Sequence, residues 1–239
     1  MEGGDNIKFY LYYQWSMNKD SIKVSEILDL NETDYSFLFK GLTYPFEVLP
    51  LIKQKFDECV RSLNTYEYNR IKDGVYVHKS VTVLKSVYLG RNIIIGKDVD
   101  LRNAAFLREN VIIGDSCVVG NSCELKNVLM FNKSKAPHFN YVGDSVMGYN
   151  SHIGAGVKIS NLKLDESQIV LKVGDELIDT KLRKFGAIIG DNTQVGCNAV
   201  LNPGTILGKD VIVYPLTSVR GVIDKKCICK SSDTVVERR

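Results

Sequence analysis

The chain repeats itself every six residues. From Val77 to Phe131 an aliphatic or aromatic side chain falls on each sixth position: Val77, Val83, Leu89, Ile95, Leu101, Leu107, Ile113, Val119, Leu125 and Phe131. Four residues after each of the first nine stands a second, mostly small or branched residue, among them Val81, Ile93, Val111, Cys117, Cys123 and Leu129. The pattern resumes at Ile189, Val195, Leu201, Leu207, Val213 and Val219. A period of six matches neither a helix nor an alternating strand, so it reports a higher-order unit. The expected fold is mainly β, a left-handed parallel β-helix of hexapeptide repeats. Each step makes a short strand and a corner, three steps close a triangular coil, and like positions stack along a dry axis. Such a coil winds against the usual right-handed preference of parallel crossovers. Gly90, Gly96, Gly114, Gly120, Gly190, Gly196 and Gly208 each follow an inward aliphatic and read as corners needing open backbone angles.

Residues 1–73 read as a small N-terminal α-helical cap region, and residues 74–239 as the β-helix domain. The aromatic cluster Phe9 to Trp15 suits a strand or a lead-in. Ser25 begins a short amphipathic segment, and Thr33-Asp34 caps a turn that Gly41 ends. Val48, Leu51, Ile52, Phe56, Val60 and Leu63 share one helical face, with the start at Pro45 or Pro50. The hexapeptide period breaks twice, and breaks in a repeat are where function collects. Register slips across residues 133–141, and an insertion occupies about 161–186. Within it, residues 168–173 and 176–179 flank Gly174-Asp175 as a β-hairpin.

Composition excludes several functional classes. With Lys+Arg 31 against Asp+Glu 28 the net charge is +3, so neither nucleic acid nor a membrane surface is implied as a partner. No apolar run approaches the roughly 18–20 residues that cross a bilayer. The N-terminus lacks a basic start and an apolar core of the secretory kind, which points to a cytoplasmic protein. The six cysteines are expected reduced, with Cys117 and Cys123 as small inward fillers. Cys227-Ile-Cys229 lacks the spacer of a common zinc knuckle, so no metal site is expected.

Glu124-Leu-Lys126, then His138, Tyr141, Gly143 and Asp144, then His152 and Gly154-Ala155-Gly156, form the most specific stretch of the chain. It resembles the acetyltransferase half of the bifunctional UDP-N-acetylglucosamine pyrophosphorylase/glucosamine-1-phosphate N-acetyltransferase family, across roughly residues 77–230. It is also similar to archaeal sugar-1-phosphate nucleotidyltransferases with an acetyltransferase domain, and to short bacterial chains that carry the pyrophosphorylase name. The resemblance implies acetyl-CoA as acyl donor, an amino-sugar phosphate as the small-molecule acceptor, and a homotrimer with the cleft between subunits. His138 then matches the general base; a histidine is the side chain poised to take a proton from an amine near neutral pH. The Ala155 amide matches the donor to the thioester carbonyl. Arg108, Lys126 and Tyr141 match the groups that hold the sugar-1-phosphate, a forked guanidinium beside a point charge. Asn161 matches a residue near the acetyl group or amine. Cys197 and Lys230 fall on coenzyme positions, Lys230 after a one-residue gap.

The chain also departs from that pattern. His152 replaces an asparagine that touches the substrate, and serves as a second titrating group or as a structural replacement. Cys197 and Pro215 replace a serine and an alanine, which favours an alternative reading as a non-catalytic sugar-phosphate or sugar-nucleotide-binding trimer. The residues before 74 are too few for a nucleotidyltransferase domain and show no Gly-rich, Arg-bearing loop, so pyrophosphorylase activity is not expected.

Overall fold

The computed structural model describes residues 17–238; the aromatic cluster at 9–15 lies outside them. Three short α-helices, α1 (Val24–Ile27), α2 (Leu49–Gln54) and α3 (Phe56–Arg61), alternate with 3-10 turns. They precede the strands β1 (Tyr68–Lys72), β2 (Val75–His78), β3 (Tyr88–Ile95), β4 (Asp100–Leu101) and β5 (Phe106–Ile113). Next come β6 (Val118–Asn121), β7 (Glu124–Met130), β8 (Lys135–His138), β9 (Tyr141–Met147), β10 (His152–Ile153) and β11 (Lys158–Ile159). β12 (Val170–Val173) and β13 (Glu176–Asp179) form the expected antiparallel hairpin, with Gly174 at φ +59 in its turn. Strand already begins at Tyr68, so the helical segment ends short of residue 73.

The repeat builds the parallel β-helix. Tyr88 pairs with Phe106 and Leu89 with Leu107, eighteen residues on, which is three hexapeptide steps. One strand of each coil joins the sheet β10-β8-β6-β4, and the other two join the sheet β3-β5-β7-β9. Inward residues from Val75 to Val235, Cys117, Cys123, Cys227 and Cys229 among them, form one continuous axial core. Burial of this order stabilises by roughly 25 cal/mol per Å² of apolar surface, which outweighs the cost of ordering so many corners.

Two sequence expectations need correction. The coil contracts on either side of the break expected at 133–141. From Leu125 the next place of the six-residue ladder is filled by Met130, and from Val142 by Met147, so two steps have five residues rather than six. Phe131 and Leu129 consequently leave the axis and sit in a second apolar cluster. Residues 133–141 are regular, with Val119 paired to Ala136 and Asn121 to His138. The glycines, too, answer a different demand. Positive φ falls on the residue two further on, as at Asn92, Asp98 and Ser122. What glycine relieves is contact between coils: a Cβ at Gly120 would lie 1.5 Å from the Pro137 carbonyl oxygen.

The second cluster explains where the N-terminal segment goes. Ile94, Ile112, Leu129, Val146, Ile188, Ile206 and Val222 stack as one outward column, one residue per coil. An apolar outward face of that length must be covered. Ile27, Leu38, Phe39, Phe46, Val48 and Ile52 cover it from the N-terminal segment, and Ile169, Leu171 and Phe185 from the insertion. The segment is thus a lateral wrap along one face of the prism rather than a plug at its end. Phe39 meets Phe131 edge-on at 5.8 Å, and Phe46 tilts against Phe185 at 5.5 Å. Polar groups fasten the wrap: the buried Asp191 carboxylate accepts from the Asp29 N–H at 2.7 Å and the Tyr149 N–H at 2.9 Å.

Candidate active site

Among the described residues the wrap leaves two faces open, and the sequence-derived residues gather on them. Outward from the first open face point Phe106, Glu124, Tyr141 and Lys158, stacked in register. From the second point Val118, Lys135, His152 and Gln194. His138 and Ala155 lie on the corner between these faces. Asn121 pairs with His138, and the pairing of Lys135 with His152 sets Ala155 one rung above His138. The His138 carbonyl accepts from the Gly156 N–H at 3.0 Å, and the Ala155 carbonyl from the Asn198 N–H at 2.8 Å.

A buried asparagine fixes this corner. Asn140, 2% exposed, takes the inward place that a small apolar residue fills elsewhere. Its Oδ1 accepts from the His138 N–H at 3.1 Å, and its Nδ2 donates to the Gly154 carbonyl at 2.8 Å. A trans peptide sets its N–H opposite its C=O. With the Gly154 carbonyl held toward the axis, the Ala155 N–H of the same peptide is turned to solvent. Among the described residues nothing accepts from that N–H. The imidazole of His138 is exposed one rung below. Sequence reasoning missed Asn140, although a polar residue on an inward position was its signal.

His152 belongs to the second open face, half-buried between Lys135 and Gln194. Burial holds its imidazole below the ordinary pKa of 6.5, and the nearby charges of Lys135 and His138 act in the same sense, against a hydrogen bond that the ring donates to Gln194. His152 therefore disfavours a proton.

On the first open face the cations are already engaged. Arg108 Nη1 donates to Glu124 Oε1 at 3.0 Å, an exposed pair. Lys126 Nζ reaches both Asp144 oxygens at 3.1 and 3.3 Å, with little exposure on either side chain. Asn127 Nδ2 donates to Asp144 Oδ1 at 3.0 Å, and Asn161 Nδ2 donates to Oδ2. The Tyr141 phenol is raised in pKa by burial first and by the Asp144 and Glu124 carboxylates next, while Arg108 and a hydrogen bond from Asn161 oppose the shift. The structure thus brings together Arg108, Lys126, Tyr141 and Asn161, and adds Glu124 and Asp144. A cleft of about 530 Å³ opens beside them, between α2 and the corner that carries Lys126.

Cys197 and Lys230 continue the His138 corner upward. Cys197 is exposed, and its carbonyl accepts from the Leu216 N–H at 3.0 Å. Gly154, Gly196 and Tyr214 stack through their N–H bonds, and Lys230 follows Cys229 onto the next rung. It stands three rungs past Gly154, ~14 Å at a rung spacing of ~4.8 Å. Among the described residues no group of three or more His, Cys, Asp or Glu side chains could hold a metal ion. No helix among them is long and apolar enough to cross a membrane.

Comparison with known proteins finds partial matches to this chain. Residues 100–177 match the model described as GMPPB C-terminal domain, and residues 186–221 match the bacterial transferase hexapeptide, six repeats. Over 92 residues the chain is 38% identical to a bifunctional sugar-1-phosphate nucleotidylyltransferase/acetyltransferase of Sulfurisphaera tokodaii, covering 38% of this chain and 23% of that one. Over 117 residues it is 31% identical to the bifunctional protein GlmU of Methanococcus vannielii, covering 48% of this chain and 28% of that one. The match therefore spans about a quarter of the length of these curated relatives. Among solved structures, the polySia-specific acetyltransferase NeuO is similar at 16% identity and a TM-score of 0.42, over 65% of this chain and 88% of that one.

Proposed function

We propose that this chain, whose β-helix carries the bacterial transferase hexapeptide repeat, is an acetyl-CoA-dependent N-acetyltransferase. Its acceptor is an amino-sugar-1-phosphate, glucosamine-1-phosphate foremost, on the route to UDP-N-acetylglucosamine in the cytoplasm. One observation carries the reading: an exposed imidazole stands one rung below a backbone N–H that is turned outward and has no acceptor among the described residues. Acyl transfer to an amine needs those two groups side by side, a base and an oxyanion donor.

The steps follow from the residues. The acceptor amine attacks the thioester carbonyl while His138 takes its proton. The carbonyl oxygen, as it becomes anionic, receives the Ala155 N–H. Collapse of the tetrahedral intermediate breaks the C–S bond, and His138 returns the proton to the coenzyme thiolate. Arg108, Lys126 and Tyr141 hold the phosphate and the sugar. The coenzyme lies along the corner that carries Ala155, Cys197, Pro215 and Lys230, with Lys230 toward its phosphates. A homotrimer closes the acceptor cleft between neighbours. The β-helix from residue 74 onward carries the catalytic groups of this enzyme, and the described N-terminal segment wraps one of its faces.

A thiol-release assay with acetyl-CoA and glucosamine-1-phosphate tests the reading. Turnover that vanishes in His138→Ala at unchanged melting temperature supports it. No thiol release with any of several amino-sugar phosphates rejects it in favour of a binding trimer.

A further inference from the structure

Asp144 occupies the last place of a ladder. Asn92, Asn110, Asn127 and Asp144 hold the same corner in four successive coils, with φ of +55, +55, +55 and +47. Asn92 Nδ2 donates to Asn110 Oδ1 at 2.9 Å, as Asn127 Nδ2 donates to Asp144. Three asparagines meet the structural demand of this left-handed corner, so the ladder itself does not require a carboxylate. The charge answers something else. Both Asp144 oxygens are used, by Lys126, Asn127 and Asn161, and the side chain is almost fully buried.

We infer that Asp144 is a positioning residue that orients the Asn161 amide toward the acceptor amine. The inference rests on the acetyltransferase reading. Asn161 turns its NH₂ group to Asp144 and to the Tyr141 phenol. The bare backbone of Gly143 makes room for both, since a Cβ there would lie 2.7 Å from the Tyr141 hydroxyl and 2.9 Å from Asn161 Nδ2. An amide with its nitrogen so held presents its carbonyl oxygen on the opposite side. Among the described residues nothing donates to that oxygen. A carbonyl acceptor at this place hydrogen-bonds an amine N–H and leaves the nitrogen lone pair for the thioester. The same carboxylate keeps the Lys126 ammonium from drifting toward the amine, where like charge would repel it. Acceptors with a hydroxyl in place of the amine make this contact as donors too, but those with an acylated nitrogen leave the lone pair conjugated and unreactive.

The test is Asp144→Asn, which restores the residue of the three lower coils and keeps the fold. Its NH₂ meets the Asn161 NH₂, so the Asn161 amide must turn over. The expected result is a loss of at least tenfold in kcat/KM for glucosamine-1-phosphate, with KM for acetyl-CoA within twofold. A double-mutant cycle should be non-additive, Asp144→Asn costing clearly less once Asn161→Ala is present, with the remainder carried by Lys126. Wild-type kinetics in Asp144→Asn, or an additive cycle, overturns the inference and leaves the acetyltransferase reading intact. If the wild type turns over no amino-sugar phosphate, that reading fails, and a crystal structure of Asp144→Asn decides the positioning role. An Asn161 amide unmoved against Tyr141 then overturns it.

Discussion

His138 and Ala155 occupy equivalent places on successive coils, and one side chain, Asn140, bonds to the backbone beside both. The proposed base and the proposed oxyanion donor thus share a single support. Preorganisation of this kind is where much of catalysis resides, because the donor costs no reorganisation as charge develops.

His138→Ala should reduce kcat by about 10²–10⁴-fold, the range for loss of a general base. The imidazole is exposed and carries no packing, so the melting temperature should move by less than a degree or two. Differential scanning fluorimetry beside the thiol assay checks both.

Asn140→Ala removes a donor and an acceptor from the axis and frees the Gly154–Ala155 peptide to rotate. About 1–3 kcal/mol of stability should be lost through unsatisfied backbone groups. Activity should fall further than stability explains. A variant that retains wild-type kcat after refolding to full occupancy would show that the Ala155 amide is held by other means.

Lys126→Met and Arg108→Met should separate. The Arg108–Glu124 pair is exposed, and its loss should cost under about 1 kcal/mol of stability. Lys126 leaves a buried carboxylate behind, which should cost about 2 kcal/mol, short of the ~3–5 of a fully buried pair. Both should raise KM for the phosphorylated acceptor in steady-state kinetics.

Stability should respond to His152 in mild acid. Its folded-state pKa lies below the ordinary 6.5, mainly through burial, so the unfolded chain binds the proton first. Stability is therefore intact above about pH 6.5 and declines as pH falls through and below it. His152→Asn should flatten that decline. An unchanged urea-unfolding profile from pH 7 to 5 would remove His152 from the account.

Gly120→Ala should be poorly tolerated, because its Cβ would collide with the Pro137 carbonyl of the next coil. Gly41→Ala meets open space and only its positive φ, which costs about 1 kcal/mol. Soluble yield and thermal midpoint distinguish them.

The repeat made the axial core legible, because inward positions must be small and apolar in every coil. It concealed the first shortened step, from Leu125 to Met130, for an equally physical reason. Leu129, Met130 and Phe131 are all apolar, since the face under the wrap is as buried as the axis. A slip of one residue between two dry environments leaves no mark in a hydrophobic pattern. The helical segment was legible as amphipathic but not as broken: Lys55, at φ −107 and ψ 17, divides what reads as one helix into α2 and α3. At the site, Arg108, Lys126, Tyr141 and Asn161 could be named from the family resemblance. Glu124 and Asp144, their partners, need the stacking register before their contacts can be seen.

The lateral wrap has a consequence for how such a protein can diverge. The edge from His138 to Lys230 runs between the two uncovered walls, out of reach of the N-terminal helices. The corner holding Lys126 and Asp144 instead abuts Leu49 and Pro50 of α2. Under the proposed acetyltransferase reading, drift in the appended segment can therefore reshape what is accepted while the thioester end stays constant, so recognition and chemistry are free to evolve at different speeds.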